Sequence, residues 1–425
     1  MRICWYNKHM EIKVSDNLKR LAELCDGKLY IVGGYVRNAI LNIPCFDIDI
    51  CSPLGSNMVE KICIDAGYKV KRVNEKLGTL LITIGDEQYE YTPFRRENYV
   101  RGNHSPESVE FVDDIMVDAR RRDFTCNAIY FNISMGKIFD PYNGAGDIQN
   151  KVVKCIETPL FVFSSDGLRI LRLVRFACEL GFKIDAKTFK TACEMVYQLD
   201  CISPERKYAE LKKIVLSEFK YGAQKNDFLI YFNGLKLYKY LFGNLNEGFQ
   251  INIKSDDYKR FLKSPKESKF LAFLILYLAN KYEFRYMQEG QINCDVMMLS
   301  NVLRLPRDLA CNLTRAYLVF QQIRFKPLNE LVAINYHNLT DVQRSAVNVF
   351  CDVKPVSEKV LELKLGGVPL NISQLQITAE EIATFVPQNK ISQIQKLLFD
   401  MCLMGKVKNE NAELKKVLAT IKTSK

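Results

Sequence analysis

The stretch that most constrains the fold is residues 30–51, Tyr-Ile-Val-Gly-Gly-Tyr-Val-Arg-Asn-Ala-Ile-Leu-Asn-Ile-Pro-Cys-Phe-Asp-Ile-Asp-Ile-Cys. Leu29–Val32 is an apolar run of strand type, broken by Gly33 and Gly34. Tyr35–Leu41 then has the pattern of a short helix that Pro44 closes off. A helix starting behind two glycines offers bare N–H groups and a positive dipole end, which suits phosphate. In a strand over 46–50, side chains alternate, so Asp47 and Asp49 share one face and Phe46, Ile48 and Ile50 the other. Two such carboxylates repel unless a cation lies between them, and hard oxygen ligands suit Mg2+ completed by substrate phosphates. A solvated edge strand is the plainer reading of Asp-x-Asp alone. The glycine pair and Arg37 in the same strand–helix–strand unit favour the phosphate-and-metal reading.

A chain of 425 residues with 48% hydrophobic and 26% charged content is an ordinary soluble globular protein of several domains. A net charge of +11 is compatible with a polyanionic partner without requiring one. The fourteen cysteines are scattered with no Cys-x-x-Cys pair, and no signal-peptide pattern opens the chain. The expectation is a cytoplasmic protein with free, mostly buried thiols. The longest apolar run, Phe270–Ala279, is about half of a membrane span, so a core helix and no membrane association are expected. With only three histidines, a histidine-rich metal site is not expected.

Ser15 is the expected N-cap of a helix over Asp16–Cys25. A helix over Asn57–Ala66, a strand over Tyr68–Val73 and a hairpin of Leu77–Ile84 with Glu87–Thr92 follow. Glu90, alternating with Tyr89 and Tyr91, is either a third carboxylate on the aspartate face or a plain surface glutamate. Polar Arg95–Glu107, with Gly102 and Pro106, is expected to be a mobile loop. From about residue 152 the pattern is helical. A helix begun by Asp166 carries Arg169, Arg172 and Arg175 at steps of three, beside an apolar stripe of Leu171, Val174, Ala177 and Cys178. Such a row repels itself unless an anion or acidic neighbours lie alongside; the alternative is an exposed basic face capped by Asp166. Residues 216–330 read as aromatic-rich helices with a break at Leu303–Pro306, and 331–425 as further helices. Residues 401–425 hold six lysines against two glutamates, a footprint for RNA backbone or a solvated terminal helix.

Gly33-Gly34-x-Val36-Arg37 followed by Asp47-x-Asp49 resembles the nucleotidyltransferase superfamily, in its class II tRNA nucleotidyltransferase and bacterial poly(A) polymerase branch. Residues 120–128, with Arg121-Arg122-Asp123-Phe124-Thr125-x-Asn127-Ala128, resemble that family's most specific signature. Tyr91-Thr92-Pro93-Phe94-Arg95 resembles the strand ending in Thr-x-Phe-Arg, and Phe139–Asp147 the closing motif of the catalytic head. Asp166-x-x-Arg169-x-Leu171-Arg172-x-x-Arg175-Phe176, with Glu179–Phe182, is similar to the nucleotide-selecting helix. Ser203–Glu210 is similar to the motif that braces it, so Glu205, Arg206 and Glu210 are expected to be structural. Leu363–Gly367 and Gly405–Asn409 resemble the tail of bacterial CCA-adding enzymes. Two positions depart from the pattern: Ser165 stands where glutamate is usual, and Asn38 where aspartate is usual.

The resemblance implies an α+β fold: a nucleotidyltransferase head with a small mixed sheet (1–151), then an all-α neck (152–215), body (216–330) and tRNA-binding tail (331–425). It implies transfer of nucleoside monophosphates from CTP and ATP to the 3′ hydroxyl of tRNA. Asp47 and Asp49 would hold Mg2+, with Glu90 beside them. Gly33, Gly34 and Arg37 would grip the triphosphate, and Arg122 would neutralise developing charge. Asp123 would accept from a ribose hydroxyl or a partner arginine. Arg172 and Arg175 would contact phosphates or brace the selecting pair, Asp166 and Arg169. Cytosine and adenine both show an amine beside an unprotonated ring nitrogen, so one carboxylate and one guanidinium accept both bases and reject guanine and uracil. Close alternatives are a poly(A) polymerase or an enzyme adding only C or only A. An inactive RNA-binding module on the same scaffold is the alternative outside enzymes. The unshortened 95–107 segment and the tail favour full CCA addition.

Overall fold

The computed structural model describes residues 5–6, 12–98, 107–221, 228–243 and 248–423. They form an α+β protein in two compact units, Met1–Gln250 and Ile251–Lys425.

Among its described elements, the first unit has ten strands and nine helices that frame the site, besides a two-residue parallel pair, Val152–Val153 with Lys183–Ile184, and helices Phe228–Leu235 and Leu237–Phe242. The strands are β1 (Trp5–Tyr6), β2 (Tyr30–Val32), β3 (Ile48–Ser52), β4 (Lys69–Asn74), β5 (Thr79–Ile84), β6 (Glu87–Pro93), β7 (Arg95–Asn98), β8 (Ser108–Phe111), β9 (Tyr130–Asn132) and β10 (Lys137–Phe139). The helices are α1 (Asp16–Leu24), α2 (Gly34–Ile40), α3 (Ser56–Asp65), α4 (Ile115–Arg120), α5 (Gly144–Gln149), α6 (Pro159–Ser165), α7 (Leu168–Leu180), α8 (Ala186–Met195) and α9 (Pro204–Val215). Eight strands make one mixed sheet in the order β1-β10-β9-β2-β3-β6-β5-β4, while β7 and β8 pair separately. Every pairing in the large sheet is antiparallel except β3 with β6.

The alternation expected of the strands holds. Ile31, Ile50, Tyr89 and Tyr91 are buried on one side, and Val32, Cys51, Phe94 and Tyr130 share a core cluster on the other. Ser15 caps α1 by accepting from the Leu18 amide. The hairpin of β5 with β6 forms as expected. The segment expected to be a loop instead starts as a strand, because Arg95–Asn98 pairs with Ser108–Phe111; its centre, 99–106, lies outside the described residues.

The arginine-bearing helix forms where expected, with Asp166 accepting from the Leu168 amide at its start. What the pattern did not show is the helix before it: α6 ends at Ser165, and Asp166 and Gly167 turn a corner before α7. The corner depends on Gly167, where a Cβ would stand 2.6 Å from the Gln198 carbonyl oxygen and 2.8 Å from its carbon. Nearly all of α7 is buried, so its arginines form no exposed basic face.

The second unit is helical. Helix Lys266–Lys281 is buried from Ser268 to Ala279, as the apolar run implied. Leu303 ends one helix at Arg304, whose φ of 51° makes the break, and Arg307 starts the next. A separate small core gathers Ile382, Leu398, Leu414 and Leu418. Two of the terminal lysines pair with acids, Lys415 with Glu381 at 2.7 Å and Lys416 with Glu413 at 2.6 Å. All thirteen described cysteines are free, and no described helix is long and apolar enough to cross a membrane.

A Gly167→Ala variant forces the corner away from a backbone carbonyl that cannot yield. Thermal unfolding is expected to show a loss of about 1–3 kcal/mol, with Gly67→Ala, where an added Cβ meets nothing within 4 Å and only the positive φ strains the chain, as the comparison.

Candidate active site

A cleft of about 730 Å3 opens over the end of β2, the start of α2 and the N-terminal half of α7. Eleven of the twelve site residues expected from sequence line it: Gly33, Gly34, Arg37, Asp47, Asp49, Arg122, Asp123, Asp166, Arg169, Arg172 and Arg175. Glu90 does not. It sits one strand away, in register with Asp49 across the parallel β3–β6 pair. A larger cavity of about 1120 Å3 shares Glu97, Arg121 and Arg169 with the cleft but none of the glycines or aspartates of its floor.

Gly33 makes the floor. Its φ of 76° with ψ of −125° is a conformation only glycine adopts freely, and it turns β2 into α2 with Arg122 Nη1 and Asp49 Oδ2 nearby. Asp47 lies just ahead of β3 rather than inside it, yet both aspartates face the cleft. Among the described residues neither Asp47, Asp49 nor Glu90 has an ion-pair partner. Burial pushes the Asp49 carboxyl up to about 6, helped by the charges of Glu90 and Asp47 and opposed by Arg122. An acidic group so crowded by like charge fits a cation. No described group of three or more His, Cys, Asp or Glu is arranged to hold a metal alone, so the two aspartates need phosphate or water oxygens to complete a shell.

The cationic wall is held by buried acceptors. Asp118, fully buried on α4, accepts from Arg121 at 2.7 Å, Arg122 at 3.1 Å and the Tyr130 hydroxyl at 2.6 Å. Burial opposes its ionisation, but the two guanidiniums and the tyrosine outweigh it and hold the carboxyl well below the usual range. Asp123 is likewise buried and held low; it accepts from Arg172 at 2.6 Å and Asn127 at 3.1 Å. Of the two roles expected for Asp123, partner to an arginine is the one with contacts in the structure. Arg175 is engaged by Glu210 at 2.7 Å and Glu179 at 3.4 Å, which makes it a brace.

Asp166 and Arg169 stand one turn apart on the wall. Asp166 Oδ1 accepts from the Leu168 amide at 3.0 Å, and Oδ2 from Arg206 at 2.6 Å, so Arg206 braces it as expected. Arg169 has only neutral acceptors: Ser165 Oγ at 2.9 Å, the Arg121 carbonyl at 2.7 Å and the Val162 carbonyl at 3.4 Å. Ser165 therefore positions the guanidinium by its hydroxyl, with no charge of its own. Asn38 does the same for Arg37, accepting from Nε at 3.1 Å and Nη2 at 3.0 Å.

Sequence reasoning missed Asp118, although its spacing of three and four residues from Arg121 and Arg122 on a helix was a usable signal. It missed Phe176 as a contact centre, with Arg37, Arg172 and Arg175 at 5.3, 5.3 and 4.3 Å from its ring centre. It also missed Tyr221, which meets Arg37 from 184 positions away and carries no local signal.

The fold and this site define a nucleotidyltransferase of polymerase-head type. The family model "Poly A polymerase head domain" matches residues 29–154, and "Probable RNA and SrmB- binding site of polymerase A" matches 181–221. The chain is 36% identical to the CCA-adding enzyme of Staphylococcus epidermidis over 189 residues, 44% of this chain and 46% of that protein. The match thus spans about half the length of that relative. Against the CCA-adding enzyme of Lactococcus lactis it is 30% identical over 332 residues, 71% of this chain and 81% of the relative. The solved structure of the Bacillus stearothermophilus CCA-adding enzyme in complex with CTP shares the fold, with a TM-score of 0.66 at 20% identity, covering 96% of this chain and 97% of that one. The chain belongs to the CCA-adding enzyme family. Nucleotidyltransferases of this family generally use divalent metals, and the acidic floor fits one.

Two outcomes follow. A raised carboxylate pKa means that the folded chain binds more protons than the unfolded one between about pH 4 and 6, so stability falls as pH rises through that window. Asp49→Asn is expected to raise the melting temperature of metal-free protein above pH 6 and to lose that advantage below pH ~4, read by melts across the range. Asp118 has the opposite sign: its contribution is present above pH ~4 and is lost as pH falls. Asp118→Asn, which leaves two guanidiniums without their carboxylate, is expected to cost about 3–5 kcal/mol in denaturant unfolding at pH 7.

Proposed function

We propose that this chain adds C, C and A to the 3′ end of tRNA from CTP and ATP, releasing pyrophosphate, with Mg2+ as its metal. The observation that carries this reading is the convergence, in one cleft, of a carboxylate pair, a glycine-floored helix start and the Asp166–Arg169 pair. Family membership supports it independently. Residues 1–151 would act as catalytic head and 152–215 as neck, with 216–330 as body and 331–425 as tRNA-binding tail. The cytoplasm, where the free thiols stay reduced, is the compartment that suits it.

Asp47 and Asp49 would hold the metal, with Glu90 adding negative charge behind Asp49. When bound, the metal supplies positive charge that lowers the pKa of the attacking 3′ hydroxyl and offsets charge on the leaving pyrophosphate. Amides at Gly33 and Gly34 and the Arg37 guanidinium would orient the triphosphate. Arg122, held by Asp118 and Tyr130, would face charge developing at the transferred phosphorus. Arg172, tied to Asp123, would border the sugar and phosphates.

At the base edge, Asp166 would accept from the exocyclic amine of cytosine or adenine and Arg169 would donate to the adjacent ring nitrogen. Guanine and uracil present a carbonyl and an N–H there, so both contacts become mismatches, worth roughly 1–3 kcal/mol for a bidentate pair. The surrounding contacts keep the pair in place: Arg206 for the acid, Ser165 and the Arg121 carbonyl for the base. A second reading, poly(A) polymerase, is favoured by the head-domain model alone.

Purified protein incubated with tRNA lacking its terminal CCA is expected to add two nucleotides with CTP, and three with CTP and ATP together. Long adenylate tracts from ATP alone would establish the polymerase reading instead. Asp47→Ala is expected to abolish transfer, and Asp166→Ala to slow it while admitting UTP or GTP. Full activity in Asp47→Ala would remove the metal assignment.

A further inference from the structure

Tyr221 lies beyond α9 and a short turn at Ser217–Phe219, and it lines the cleft beside Arg37 and Lys220. Its phenolic oxygen accepts from Arg37 Nη2 and from Asn38 Nδ2, each at 3.2 Å. The direction of the second bond is fixed by chemistry. Asn38 Oδ1 faces two guanidinium N–H groups, so the amide must turn its NH2 to the tyrosine. With two N–H groups donating to it, the phenol oxygen keeps only its own proton to give. Among the described residues no acceptor receives that proton. The neighbouring Lys220 is a cation over the ring at 5.4 Å and cannot accept.

We infer that Tyr221 is a triphosphate-binding residue: its hydroxyl donates to a phosphate oxygen of the nucleotide beside Arg37, and Asn38 is what leaves that proton available. A carboxylate at position 38 would take the Tyr221 proton for itself and would neutralise Arg37. Either effect removes a phosphate contact from the same corner of the cleft. The inference rests on the reading of this cleft as a nucleotide site. It adds to that reading a contact from the segment just beyond α9, which the glycine and arginine motifs do not contain.

The test is equilibrium binding of CTP, ATP and CMP, with Mg2+ and without RNA, to the full chain as wild type, Tyr221→Phe, Asn38→Asp and the double variant. Tyr221→Phe keeps the ring and removes only the hydroxyl. It is expected to weaken CTP and ATP alike by about tenfold, the scale of one hydrogen bond to a charged group, and to leave CMP little changed. Asn38→Asp is expected to weaken CTP as well, and in its background Tyr221→Phe is expected to add no further loss. Unchanged CTP binding in Tyr221→Phe, or an equal loss for CTP and CMP, would overturn the inference and reduce Tyr221 to a brace. A wild-type chain that binds no CTP would instead overturn the nucleotide reading itself, and this inference with it.

Discussion

Eight guanidinium groups face one cleft, and the structure depends on how their mutual repulsion is absorbed. Buried acids do most of it. Asp118 holds Arg121 and Arg122, Asp123 holds Arg172, Glu210 and Glu179 hold Arg175, and Asp166 holds Arg206. Each pairing fixes a direction as well as a charge, because a planar fork can meet a carboxylate in few ways. Arg37 and Arg169 are treated differently. Their partners are amide, hydroxyl and carbonyl oxygens, so both are oriented without being neutralised. The two uncompensated cations are the ones placed where a phosphate and a base edge would lie.

The opposite charge is concentrated on the floor. The single parallel pairing of the large sheet sets Asp49 directly beside Glu90, and Asp47 joins from the residue before the strand. Separation of the two signs within one cleft is what would let it take a metal and a triphosphate together, as proposed. Merged, the same side chains would form salt bridges and leave nothing for a ligand.

Much of this was legible in the sequence because the relevant signals are local. The Gly33–Gly34 turn, the hairpin of β5 with β6 and the Ser15 cap follow from patterns a few residues long. Eleven of the expected site residues converge because they sit in strings whose resemblance carries position as well as type. What was hidden depends on long-range packing. Asp166 reads as a helix start, and only the close approach of Gln198 to Gly167 turns it into a corner between two helices. The arginine row calls for an anion or acidic neighbours, but which acids answer is hidden, because Glu210 and Asp123 arrive from other elements. Glu90 alternates correctly along its strand but lies one strand too far from the cleft to line it.

Helix α9 has a geometrical consequence. Near its start Arg206 holds Asp166, and the chain leaving its end delivers Tyr221 to Arg37. One helix of twelve residues thus links the Asp166 corner of the cleft to the Arg37 corner, in the manner of a caliper. Adding or removing a single residue within it would rotate one jaw by about 100° relative to the other. On the proposed reading, its length would set the spacing between the side chains at the base and those at the triphosphate.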